Sequence, residues 1–281
     1  MSAVLKRFLA TPVWPFVLLL VLFTAIAVLA PLIAPYDPAK QDLLARLRPP
    51  GYEIRGKIYW LGTDEIGRDL LSRIIYGARV SLLVAFLSVC VSLAFGSLLG
   101  MLAGFFRGAA ETVIMRFADI VLSIPAILLA ILTVAVLGPG LLNLVLVLGF
   151  TRWPRYTRVA YAQTLAVANS QYVKASRFIG ASNRRLLWRH ITPNVLAPLI
   201  VVATLEFGIM ILFEAGLSFL GLGVQPPTPS WGAILSVGRN YVSSAWWIAT
   251  FPGLCLFAVV LSVNVYGDYL RDRFDPQSLS R

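Results

Sequence analysis

Charge is scarce in this chain. Of 281 residues only 13% are Asp, Glu, Lys or Arg, against 58% hydrophobic. A soluble domain is nearer a quarter charged and half apolar. The charge present is one-sided, 24 Lys and Arg against 13 Asp and Glu, a net +11. In a soluble protein that excess would point to nucleic acid. Here the charges lie between long uncharged runs, and no basic stripe joins a folded aromatic platform, which argues against nucleic-acid binding. Histidine occurs once, as His190. A zinc site needs three or four ligands, so a histidine-based metal site is excluded. The two cysteines, Cys90 and Cys255, sit far apart inside apolar runs with no CxxC spacing, and read as inert core thiols. No GxxxxGK[ST] occurs, so the chain lacks a loop of that kind to cradle nucleotide phosphates.

What is there is apolar sequence in long runs. The class is an all-α integral membrane protein, read as one transmembrane domain over 1–281. Six spans are predicted, at 13–34, 80–105, 113–137, 141–160, 195–220 and 247–270. The first is longer than the core of a cleaved signal peptide and reads as a signal-anchor. In the second, Gly96, Gly100 and Gly104 recur every four residues, which puts small residues on one helical face for close packing in lipid. The loop 35–79 is outer, the segment 161–194 and the tail 271–281 are inner. Orientation follows from Lys and Arg. The run from Arg152 to Arg189 is rich in basic residues and holds no acid, while Lys6, Arg7, Arg271, Arg273 and Arg281 flank the ends. Both termini are therefore expected in the cytoplasm. Trp246, Trp247 and Tyr241 are expected at the outer interface, and Trp14 and Trp153 at the inner one. After the stiff turn QPPTPSWG, residues 231–242 suit a short interfacial or re-entrant helix.

YVKASRFIGASNRRLLWRHITPN, residues 172–194, is the basic heart of the inner segment. Residues 172–179 suit a short helix. Gly180 suits its left-handed cap, Ser182 or Asn183 can cap a second helix over 184–191, and Pro193 opens the fifth span. Two readings stand. One is a loop attracted to anionic lipid, at roughly 1 kcal/mol per charge. The other is a docking element for a cytoplasmic partner.

The segment resembles the cytoplasmic coupling motif of ABC-importer permeases. That motif runs Glu-Ala-Ala, three residues, Gly, nine residues, Ile, one residue, Leu-Pro. Lys174, Ala175 and Ser176 take its first three places, and Gly180 and Pro193 keep their spacing. His190 and Thr192 replace the Ile and Leu, and Lys174 replaces the acid. LGTDEIGRDLLSRIIYGARVSL (61–82) resembles the approach to the second span of dipeptide, oligopeptide and nickel permeases, and IMRFADIVLSIPAILLA (114–130) resembles their third span. GLSFLGLGVQPPTPSWG (216–232) and GDYLRDRFDPQ (267–277) match as well. The resemblance is to the second of the two permease subunits. It implies a non-enzymatic six-span chain in the bilayer, paired with a homologous permease, two cytoplasmic ATPases and an extracytoplasmic binding protein. ATP and magnesium would belong to the ATPases, with no cofactor in this chain. Docking would rest on Ala175, Ser176, Phe178 and Ile179, with Lys174 and Arg177 at the rim and Gly180 as the hinge. The cargo implied is a short peptide, with a nickel chelate, a glutathione-like peptide or a sugar as alternatives.

Acids inside the spans need partners. Glu206, near the middle of the fifth span, is either bonded to a neighbouring span or a pore-lining carboxylate that meets a substrate amine or cation. Asp119 is expected beside Arg116, and Glu214 to be structural. Two rival classes carry less. An intramembrane serine hydrolase would need a base near a serine, and His190 lies on the cytoplasmic segment. An autonomous secondary transporter often shows inverted repeats, and none is visible.

Overall fold

Small residues at four-residue intervals set the most extensive helix contact in the molecule. The structure, a computed structural model, describes residues 12–274. Lys6, Arg7, Arg281 and the end of the C-terminal tail lie outside the described residues. Helix α1 is Trp14–Val28, followed by a short helical turn Ala30–Ile33. Helices α2, Leu70–Phe106, and α5, Leu141–Ala168, are the pair that meets along the small residues. A Cβ on Gly96 would lie 2.4 Å from the Trp153 carbonyl oxygen, and one on Gly100 2.3 Å from that of Thr157. The hydroxyls of Ser92 and Thr157 bond across the seam, to Gly149 O at 2.6 Å and Gly96 O at 2.9 Å. Backbones this close gain packing and interhelical hydrogen bonds, which replace the hydrophobic drive that lipid does not supply.

Between them run α3, Ala109–Ser123, and α4, Ala126–Leu137. After α5 come α6, Gln171–Phe178, then α7, Asn183–Phe219, α8, Trp231–Gly238, and α9, Trp247–Phe274. α7 packs on α9, α2 and α5, and α1 lies on α2 and α9. Val84, Leu148, Met210, Ile211, Val259 and Trp231 meet in the buried centre. The short helix after the stiff turn is present as α8, with Trp231 Nε1 donating to Ile74 O at 3.0 Å.

Among the described residues, four helices are long and apolar enough to cross a membrane: Trp14–Ile33, Leu70–Phe106, Asn183–Phe219 and Trp247–Arg273. A bent pair, α3 and α4, makes a fifth if it counts as one span. The expected straight span over 113–137 is thus broken, and its halves meet at 89°. Pro125 is the cause. Its ring disfavours helical backbone at the residue before it, and Ile124 is extended at φ −98°, ψ 130°. α5 runs past the expected fourth span, 141–160, to Ala168, and carries Arg152, Arg155 and Arg158 within the helix. The second short helix is not separate either. α7 starts at Asn183 and passes through a widened π-helical turn at Leu186–Ile191. Thr192 N–H reaches Leu187 O there, and Pro193 stands in the first turn of the regular helix that follows, where its missing N–H costs nothing.

The first loop departs from the all-α expectation. Strands β1, Tyr52–Ile54, and β2, Lys57–Tyr59, pair antiparallel. Arg55 and Gly56 join them with φ of 52° and 73°, the left-handed pair that a two-residue hairpin turn requires. Asp64, 1% exposed, anchors the loop. It accepts from the Ile66 and Arg68 N–H groups and from Arg68 Nε at 2.7 Å, with Arg73 Nη1 3.0 Å away. Trp247 is buried beneath the loop and donates to Thr63 O at 3.1 Å, so it is a strut and not part of an exposed belt. Trp153 is also buried, packed between Phe95 and Phe117.

Candidate functional site

Residues 171–194 have one face that is anchored and one that is not. Gly180 closes α6 at φ 92°. Its N–H bonds Arg177 O at 3.0 Å and the Ala181 N–H bonds Ser176 O at 3.1 Å, the paired bonds of a Schellman cap. Ser182 Oγ then accepts from Arg185 N–H at 3.4 Å to start α7. Val173, Leu186, Ile191 and Val195 are buried with Met101, Phe105 and Tyr156, which seats the segment on the end of α2 and the second half of α5. The Arg177 guanidinium lies over the Phe105 ring at 5.3 Å. Asn194 Nδ2 donates to His190 O at 2.7 Å and to the Tyr172 hydroxyl at 3.2 Å, tying the two helices together. Lys174, Ala175, Arg177, Phe178 and Ile179 are exposed, and Ser176 is half-buried. Phe178 is 92% exposed and Ile179 87%. Two large apolar side chains therefore stand open on a short helix that is held firmly from behind.

A second constellation lies at mid-helix. Glu206 on α7 is 2% exposed. Its Oε1 accepts from Arg152 Nη2 and Arg155 Nη1, both at 2.9 Å, and its Oε2 accepts from Arg152 Nε at 2.8 Å. The carboxylate is thus bonded to α5 and buried. The Arg152 guanidinium also lies over the Phe213 ring at 5.5 Å. Asp119 pairs with Arg158 at 2.6 Å, and not with Arg116. Glu214 is buried and accepts from the hydroxyls of Ser81 at 2.8 Å and Ser218 at 2.7 Å. Sequence reasoning missed Arg152 and Arg155 as the partners of Glu206. The available signal was that Glu206 sits near the centre of a long apolar helix and Arg152 and Arg155 near the centre of another long helix, where isolated charges are expensive.

Residues 96–277 match the family described as "Binding-protein-dependent transport system inner membrane component". This is more than half of the chain. The chain belongs to that family. Residues 16–50 match a second description, "N-terminal TM domain of oligopeptide transport permease C". Among curated relatives of this permease, the di/tripeptide transport system permease protein DppC of Pseudomonas aeruginosa is 49% identical over 261 residues, 92% of this chain and 86% of the relative. The dipeptide transport system permease protein DppC of Escherichia coli K12 is 49% identical over 253 residues, 90% of this chain and 84% of the relative. The dipeptide permease protein DppC of Haemophilus influenzae is 46% identical, over 90% and 86%. Among solved structures, an inward-facing form of the MetNI methionine ABC transporter has a chain alike at TM-score 0.58 and 20% identity. The likeness covers 70% of this permease and 94% of that chain, and it establishes the fold. The permease is a multi-pass membrane protein of a binding-protein-dependent transport system.

Proposed function

We propose that this permease is one of two homologous membrane subunits of an ATP-driven importer of short peptides. One observation carries the reading: near-half identity, over about nine-tenths of the chain, to permeases named for dipeptide and di/tripeptide transport. Two cytoplasmic ATPases, which bind ATP and magnesium, and an extracytoplasmic binding protein complete the assembly. The chain crosses the bilayer six times. α5 supplies the sixth crossing, since it is about 42 Å long at 1.5 Å per residue. Its arginines disqualify it by apolarity alone, but Glu206 and Asp119 offset two of the three charges. Both termini lie in the cytoplasm. Between α5 and the regular part of α7 that begins at Thr192, the chain carries Lys174, Arg177, Arg184, Arg185 and Arg189 and no acid, which supports this orientation.

α6 is the coupling helix. Phe178 and Ile179 enter the ATPase surface, and Ala175 and Ser176 allow close approach. Lys174 and Arg177 border the contact, and Gly180 sets the angle at which α6 leaves α7. ATP-driven motion is passed to the membrane helices through the buried Val173–Leu186–Ile191 contact.

Purification of the affinity-tagged chain from its own cells in mild detergent tests the assembly. The expected result is recovery of a second permease and two ATPase subunits, with dipeptide uptake in proteoliposomes that requires both ATP and the binding protein. A chain that purifies alone and moves substrate on an ion gradient would be a secondary transporter, and the proposal would fail.

A further inference from the structure

The carboxylate that sequence reasoning left open to meet a cation is buried between two guanidiniums. What faces outward is positive. Arg152 and Arg155 share one carboxylate, which leaves the group one net positive charge. Arg152 is enclosed, but the Arg155 side chain is 53% exposed. Among the described residues the Arg155 side chain forms a single hydrogen bond, from Nη1 to Glu206 Oε1. A guanidinium has five N–H donors in a planar fork, so most of this fork is open. Its place is the middle of α5, about 20 Å from either end at 1.5 Å per residue. An exposed cation on a membrane-crossing helix costs several kcal/mol against lipid, so with α5 as a crossing Arg155 faces protein or water.

One turn along α5, Arg158 is also half-exposed and pairs with Asp119 on α3. Five residues after Asp119 the backbone of α3 and α4 breaks at Ile124. Irregular backbone within a membrane protein is tolerated where it lines a cavity or is covered by protein. Charged residues and a broken helix thus share one side of α5.

We infer that Arg155, held in place by Glu206, is a station on the translocation path for the carboxylate of the passing peptide. The inference rests on the importer reading above. A station must bind weakly enough to let its cargo leave. A guanidinium already half-neutralised by Glu206 meets that need, and its buried anchor keeps the fork aimed outward. A peptide with free termini carries a carboxylate that matches the fork. The same charge disfavours a cation at this point.

The test uses the complete complex in proteoliposomes with its binding protein. Uptake per ATP hydrolysed is compared for a dipeptide and its C-terminal amide, at equal occupancy of the binding protein. The unaltered complex is expected to favour the free acid by about tenfold, the scale of one charge-assisted hydrogen bond. Arg155→Gln should lower uptake of the acid to the level of the amide. Arg155→Lys, which keeps the charge, should retain part of the preference, and it serves as the check if the Gln variant does not fold. A preference that survives in Arg155→Gln overturns the inference. So does loss of the sister permease from both variant complexes, which would make Arg155 an interface residue. Failure of the unaltered complex to take up peptide would instead sink the importer reading.

Discussion

Asp64 and Asp69 sit in one loop and do opposite work. Asp64 is the counter-ion of two buried guanidiniums, Arg68 and Arg73. Asp64→Asn leaves both without a charge partner, and breaking such a buried group costs about 3–5 kcal/mol. The expected readout is a lowered Tm in detergent. Asp69 caps α2 through Oδ2, which accepts from the Ser72 N–H and hydroxyl, while its Oδ1 is buried without a partner. Burial raises its pKa above the ordinary 3.8, and the Ser72 bonds oppose that only in part. The native chain therefore keeps this proton to higher pH than the unfolded chain does. Stability from the protonated form is full below the unfolded value and is lost as pH rises through the folded one. Asp69→Asn keeps a good cap and removes the desolvated charge. It should match or exceed the parent Tm at neutral pH and flatten the pH dependence on the acid side. A large drop in Tm would show that the charge itself is needed. Both acids stand in the stretch LGTDEIGRDLL, beside Glu65 and Arg68. Which one has a partner is not legible there, because that depends on how residues 64–73 turn back over themselves. Glu206 shows the same limit over a longer reach. Its depth was readable, but its guanidinium partners lie 54 and 51 residues away in sequence.

At the scale of elements, glycine spacing was the most informative pattern. Gly96, Gly100 and Gly104 marked a face, and the structure lays that face against α5. Gly100→Val would drive a Cβ to 2.3 Å from a backbone oxygen, which no rotamer can relieve. The helices must part, at a cost of about 1–3 kcal/mol or more. The expected result is a broadened size-exclusion profile and a lower Tm for the detergent-solubilised permease. Gly180 works differently. A Cβ there meets nothing within 4 Å, so any penalty comes from φ 92° alone. Gly180→Val should cost about 1–2 kcal/mol locally. It should leave α7 inserted but unwind the end of α6, seen as reduced peptide uptake per ATP. Normal uptake in that variant would contradict the coupling role. Helix ends were harder to read than helix faces. Hydropathy could not show that α3 and α4 meet at 89°, since both halves are apolar and only Pro125 marks the joint. Nor could it show that α5 continues past Arg152, because the charges that lowered its apolarity are neutralised by residues elsewhere in the fold.

For the whole molecule, what matters is where apolar surface remains open. Most large exposed apolar side chains lie on the long apolar helices, where lipid or a sister subunit can cover them. Phe178 and Ile179 lie on α6, a short helix flanked by basic residues. Water alone is a poor environment for such a pair, and an apolar site rimmed by charge is what protein interfaces present. The sequence indicated the segment, through the spacing of Gly180 and Pro193. The resemblance already put Phe178 and Ile179 at the docking surface, but apolarity alone does not separate them from Val173, which turns inward. That division depends on the way Leu186 and Ile191 fold back beneath α6. It also allows docking to be separated from folding. Phe178→Ala with Ile179→Ala removes side chains that touch little of this chain, so Tm should stay within about 0.5 kcal/mol equivalent of the parent. Central apolar anchors at an interface are worth about 2 kcal/mol or more each. Recovery of the ATPase subunits with the tagged permease should therefore fall at least about tenfold. Val173→Ala makes the opposite comparison, lowering Tm through a buried cavity while leaving the docking tip intact. If the double variant retained its ATPases as firmly as the parent, the open face of α6 would not be their seat.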